Sequence, residues 1–176
     1  MTIKHPKTKQ TLDLFEAISA IPRCSKHEEK IGAFLLDWAG KNGLQAKKDK
    51  VGNVLIKVPA TAGYERSGAV VIQGHMDMVC EKTADSPHDF DKDPIRFVYE
   101  GDWLKADHTT LGAANGIALA MAMTMALDKT LVHPPLELLF TVDEETGLTG
   151  ANYLQPDFID GKILLKMGET KEIASF

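Results

Sequence analysis

The segment Ala69-Val70-Val71-Ile72-Gln73-Gly74-His75-Met76-Asp77 sets the reading of this chain. Residues 69–73 are apolar with little alternation, which predicts a strand buried on both faces. The strand runs into a histidine and an aspartate two residues apart. A second run, Leu136-Glu137-Leu138-Leu139-Phe140, opens a strand predicted over residues 136–142 that ends in Asp143-Glu144-Glu145-Thr146-Gly147. Both segments put ionisable side chains where a buried strand meets a loop. In open α/β sheets that edge is where ligands bind. A His-x-Asp and a Glu-Glu placed there point to a metal ligand with its orienting carboxylate, and to a second ligand beside a proton acceptor. Either motif alone is weak. Many histidines simply hydrogen-bond a neighbour, and an acidic pair is often no more than a favourable start to a helix.

Working outward, apolar spacing at Leu12, Phe15 and Ile18 predicts a helix over residues 11–20, ended by Pro22. Ser25-Lys26-His27-Glu28 fits a capping box, with a helix continuing through Ile31, Phe34, Leu35 and Trp38 to Gly40 or Gly43. Strands are predicted at residues 44–48 and 53–58, and a loop at 59–68. Residues 81–94 read as an exposed acidic loop, and 95–99 with 103–106 as a hairpin. Residues 117–127 form a helix apolar on nearly every side, hence buried. A short helix near 150–154 and a strand at 162–165 follow. No internal repeat is visible. Alternating strands and helices predict an α/β fold, a three-layer sandwich around a mostly parallel sheet.

At 176 residues the chain is long enough for one core. A net charge of -5 argues against nucleic acid as a partner. No apolar run suits a membrane, and the N-terminus lacks a signal core, so a cytoplasmic location is expected. Cys24 and Cys80 form no CxxC and read as reduced thiols, with Cys80 near enough to His75 in sequence to be a conceivable ligand.

The order and length of several motifs make the resemblance specific. They include Ile21-Pro22-Arg23, Ser25-Lys26-His27-Glu28-Glu29-Lys30, Gln73-Gly74-His75-Met76-Asp77-Met78-Val79 and His88-Asp89-Phe90. They continue through Thr109-Thr110-Leu111-Gly112-Ala113, His133-Pro134-Pro135 and Asp143-Glu144-Glu145-Thr146-Gly147. The chain resembles the Xaa-His (aminoacyl-histidine) dipeptidases, di-zinc metallopeptidases. The resemblance implies a zinc-peptidase-like fold and two zinc ions, with cobalt or manganese as substitutes. It implies that His75 binds one zinc and Glu145 the other, that Asp77 orients His75, and that Glu144 is the general base. The implied substrate is a dipeptide with C-terminal histidine, and the implied assembly a homodimer.

Departures from the pattern bear on the metals. Ala114 stands where the family has an aspartate that bridges both ions, and two dications ~3.5–4 Å apart need an anion between them. Gly168 stands at another ligand position, with Glu169 a poor substitute. His108 replaces a glycine and reads as a loop histidine rather than a replacement ligand. Residues 1–176 match only the N-terminal part of the family's catalytic domain. An inserted second domain and the return of the catalytic domain are absent, and the unusual tail suggests a truncated product. The expectation is therefore a metallo-dipeptidase by descent that binds one ion weakly or none and is impaired. The alternatives are a working enzyme completed by His108, Glu169 or a second chain, and a non-catalytic binding module that keeps the fold.

Overall fold

The computed structural model describes residues 5–167. Gly168 and Glu169 lie outside the described residues. The first helix, α1 (Pro6–Ser19), begins five residues before the predicted start because Pro6 sits in its first turn, where a missing N–H costs nothing. Helix α2 (Glu29–Lys41) follows, then strands β1 (Gln45–Lys48), β2 (Val54–Val58) and β3 (Val70–His75). A separate hairpin, β4 (Phe97–Glu100) with β5 (Trp103–Ala106), precedes α3 (Ala113–Leu127). Strand β6 (Leu136–Thr141), the short turns α4 (Glu144–Gly147) and α5 (Thr149–Asn152), and β7 (Ile163–Lys166) complete the order.

The main sheet has the order β1-β2-β6-β3-β7. It is mixed rather than mostly parallel: β3 runs parallel to both β6 and β7, whereas β1–β2 and β2–β6 are antiparallel. Residues 49–53 are too few for a crossover, so β2 folds straight back on β1. The α/β class holds.

The two-faced burial read from the sequence has a direct cause. Val54, Ile56, Ile72, Leu138 and Phe140 pack against α1, α2 and α3 on one face. Leu55, Val71 and Leu139 point to the other, where Phe158, Leu154 and Ile159 meet them. The second face is thus covered by a turn-rich segment, and among the described residues no long helix forms a full third layer. Helix α3 lies between α1 and the sheet, which explains its all-round apolar sequence.

The capping-box expectation fails. Helix α2 starts at Glu29, and no side chain caps its first turn. Ser25 and Glu28 are instead spent on the site described below. The expectation of reduced thiols also fails: Cys24 and Cys80, 56 residues apart in sequence, form a disulfide with Cα atoms 5.6 Å apart. A backbone bridge between Cys24 and Met78 brings the two segments together, so sequence distance was no guide. Cys80 is therefore no metal ligand here. Closing a loop of this length restricts the unfolded chain by about 4 kcal/mol on the chain-entropy account. Reduction with a dithiol is expected to lower unfolding stability by about 2–4 kcal/mol, read from urea midpoints; a loss under about 0.5 kcal/mol would contradict this.

Candidate metal centre

Strands β3 and β6 are adjacent and parallel, with His75 in register opposite Thr141. Both chains therefore leave the sheet at the same edge, and the Met76 N–H donates to the Thr141 carbonyl at 2.8 Å just beyond it. This register brings together the four residues singled out from the sequence. Donor atoms of His75, Glu144 and Glu145 lie within 4.8 Å of one another. His75 is buried, Glu144 half-buried and Glu145 exposed, so the group opens outward to solvent.

Asp77 lies on the inner side of the imidazole. Its Oδ1 is 3.1 Å from His75 Nδ1. With the proton on Nδ1 donated to Asp77, Nε2 keeps its lone pair on the side of the glutamates, 3.8 Å from Glu144 Oε2. Asp77 is fully buried, and its carboxylate is satisfied on all sides. Besides His75, it accepts from the Glu144 N–H at 3.0 Å, the Glu145 N–H at 3.1 Å and the Ser25 hydroxyl at 2.7 Å. Those amides tie the start of α4 to the end of β3, fixing both halves of the donor group with one carboxylate.

Burial alone would push the Asp77 pKa up. The hydrogen bonds from His75, Ser25 and the two amides outweigh it and hold the group at about 2. For His75, burial works against the imidazolium, but the hydrogen bond and charge of Asp77, with the charges of Glu144 and Glu145, raise its pKa. Because the folded pKa of Asp77 is depressed, its contribution is fully present above the ordinary carboxylate range near pH 4 and fades as pH falls toward 2. The depression corresponds to about 2 kcal/mol. Asp77→Asn should therefore cost about 2 kcal/mol of unfolding stability at pH 6 and progressively less as the pH approaches 2. An equal cost at both ends of that range in urea titrations would refute this.

Several residues that the sequence reading gave no role in the site support it. Glu28 accepts from the backbone N–H of Asp143 at 2.8 Å and of Lys26 at 3.0 Å. Asp143, in the left-handed region at φ 50°, accepts from the Thr146 and Thr149 hydroxyls, which hold its own pKa down. Arg23, 1% exposed, donates to the carbonyls of Met76 at 3.2 Å, Asp77 at 3.1 Å and Gly112 at 2.6 Å. Burial lowers its pKa to about 10, partly offset by the charge of Asp77. Asn115 accepts from the His75 N–H at 3.3 Å. A Cβ on Gly74 would sit 2.7 Å from that amide oxygen, so glycine is what lets α3 approach β3. Ala114, next to Asn115, is exposed and brings no donor atom.

His108 does not join the group. Its ring meets the Thr83 hydroxyl at 3.0 Å and Asp85 at 3.5 Å. With Arg96 and His88 it lines a separate cavity of about 620 Å³ that shares no residue with the donor group. A smaller, mainly apolar cavity of about 200 Å³ adjoins Glu144, between Leu139, Leu148, Leu154 and Leu164.

The imidazole nitrogen of His75 and the carboxylate of Glu145 lie close enough to share one divalent cation, with Glu144 beside them, and two protein ligands are one fewer than the three usual for catalytic zinc. The free nitrogen of His75 faces the carboxylates, and its other nitrogen is already held by Asp77, which is the arrangement that orients a metal-binding histidine. Among the described residues no bridging carboxylate is present for a second ion.

No protein-family model matches the chain. Its sequence is 45% identical over 160 residues to a cytosol non-specific dipeptidase of Escherichia coli K12, covering 91% of this chain and 33% of that protein. The fold superposes on the crystal structure of aminoacylhistidine dipeptidase from Vibrio alginolyticus with a TM-score of 0.88 at 42% identity, covering 93% of this chain and 33% of the other. The YxeP protein of Bacillus subtilis, described as a dinuclear metal binding peptidase of the M20 family, shares the fold alone, with a TM-score of 0.54 at 12% identity, covering 91% of this chain and 42% of that one. The chain thus spans about a third of the length of the dipeptidases it matches. The resemblance drawn from the motifs is borne out over nine-tenths of the chain.

Proposed function

We propose that this chain, a relative of the aminoacylhistidine dipeptidases, is the N-terminal part of a metallo-dipeptidase catalytic domain. In this reading it retains one metal position and is impaired in dipeptide hydrolysis. The observation that carries the reading is the convergence of His75, Glu144 and Glu145 at one sheet edge, with Asp77 behind the imidazole.

His75 and Glu145 would hold a divalent ion, zinc by the resemblance, with cobalt or manganese equally suited to nitrogen and carboxylate donors. Such an ion would supply polarisation of a peptide carbonyl and a more acidic water. Asp77 keeps the His75 proton on Nδ1 and the lone pair on Nε2. Glu144, half-buried beside His75, takes a proton from the attacking water and delivers it to the departing amine. The substrate is a dipeptide of the Xaa-His class. Ala114 removes the anion that a second ion would need. The relatives' descriptions as dipeptidases support the reaction class, and the cytosolic description of one of them supports a cytoplasmic location. No helix among the described residues is long and apolar enough to cross a membrane.

The test is hydrolysis of β-alanyl-histidine by the zinc-loaded chain. The expected turnover is at least ~10³-fold below the ~10 s⁻¹ of an ordinary enzyme, and Glu144→Gln abolishes what remains. Turnover at ordinary rates would refute the impairment. Metal binding with no turnover in any dipeptide would favour the non-catalytic module instead.

A further inference from the structure

We propose that Ser25 is a positioning residue for the candidate metal centre, fixing the Asp77 carboxylate that holds His75, and that the Cys24–Cys80 disulfide keeps Ser25 in place. This rests on the reading of His75 as a metal ligand.

Asp77 has four hydrogen-bond donors, two on each oxygen. Oδ1 takes His75 Nδ1 and the Glu144 amide; Oδ2 takes Ser25 Oγ at 2.7 Å and the Glu145 amide. His75 and both glutamates belong to the donor group itself. Ser25 is the one donor from elsewhere, 52 residues away in sequence. It anchors the carboxylate independently of the groups the carboxylate must align. Without the hydroxyl, Oδ2 keeps a single donor, and the carboxylate can rotate away from Nδ1.

Ser25 reaches Asp77 only because residues 23–25 dock along residues 76–80. Met78 N–H donates to the Arg23 carbonyl at 3.1 Å, Cys24 bridges to Met78, and Cys24 is crosslinked to Cys80. The crosslink is therefore one residue from Ser25 on one strand and three from Asp77 on the other. Both cysteines are half-buried, within reach of a small dithiol. One thiolate of the dithiol attacks a cystine sulfur, giving a mixed disulfide and releasing the other cysteine. Its second thiol then displaces the remaining cysteine. The protein disulfide gains two electrons and two protons, and the dithiol leaves as a cyclic disulfide. Opening the crosslink frees the 23–25 segment to move, which weakens the Ser25 hydrogen bond and loosens His75.

The experiment uses the 176-residue chain labelled with nitrogen-15. Exchange of the His75 Nδ1 proton with water is read in the metal-free chain, and the cobalt(II) dissociation constant is measured separately. Ser25→Ala is expected to speed that exchange and to weaken cobalt binding about 10-fold. Ser25→Thr, which keeps the hydroxyl, should restore both. Dithiol treatment of the parent chain should move both readouts in the direction of Ser25→Ala, and reoxidation should reverse the change.

If Ser25→Ala leaves exchange and affinity within twofold of the parent, or if Ser25→Thr fails to rescue, the positioning role is overturned. If reduction changes neither readout, the role of the crosslink is overturned. If the parent chain binds no cobalt while ring-proton exchange still responds to Ser25→Ala, the metal reading fails and the positioning of His75 through Asp77 stands.

Discussion

Replacing Arg23 by methionine is expected to destabilise the chain by about 4 kcal/mol, the largest effect of any single substitution considered. The guanidinium is fully buried and serves three backbone carbonyls, those of Met76, Asp77 and Gly112. Methionine fills much of the same space but donates nothing. Each buried carbonyl left without a donor costs roughly 1–3 kcal/mol. Relief from burying a charge offsets part of this; the lowered pKa of Arg23 shows that the burial is itself unfavourable. Against a stability of about 5–15 kcal/mol for a domain this size, the remaining loss is severe. Urea unfolding would show it as a large fall in midpoint with little change in slope. A loss below about 1 kcal/mol would mean that the three carbonyls find other partners. Two of them flank Asp77, so the variant that does fold should also bind metal more weakly.

The second large effect is on metal binding. His75→Ala removes the only nitrogen donor in the candidate group. Structural zinc sites gain about 10–16 kcal/mol over roughly four ligands, so one ligand carries about 3 kcal/mol, or at least ~100-fold in affinity. Glu145→Gln should weaken binding by a smaller factor, because an exposed carboxylate holds its partner through more water. Isothermal titration with zinc or cobalt separates the two. Equal affinity in the parent and His75→Ala would show that the metal, if bound, sits elsewhere.

Parts of this architecture were legible in the sequence for physical reasons. Strands buried on both faces are written as unbroken apolar runs, so β3 and β6 and the ionisable residues that follow them are legible in the sequence. The four site residues meet because those strands are neighbours in register, and a sequence shows the runs without showing the register. Ser25 and Glu28 were misread because Ser-x-x-Glu suits a helix start and a tertiary anchor equally well, and only the fold decides between them. Arg23 gave no sign of its burial, since arginine is ordinarily exposed. The Cys24–Cys80 pair was missed because a disulfide depends on two segments docking, which spacing does not encode. The antiparallel β1–β2 pair follows from the short turn after β1, a feature the alternation of strands and helices obscured. His108, read from the sequence as a loop histidine, lies against Thr83 and Asp85.

The two-ion and one-ion readings differ in a single countable quantity. One donor group of three side chains is present, Ala114 supplies nothing to a second ion, and the positions at Gly168 and Glu169 lie outside the described residues. Metal stoichiometry of the purified chain, measured by titration with cobalt(II) and elemental analysis after dialysis, tests this most directly. The account predicts at most one ion per chain, lost on His75→Ala. Two tightly held ions per chain, together with rapid hydrolysis of a dipeptide, would contradict it.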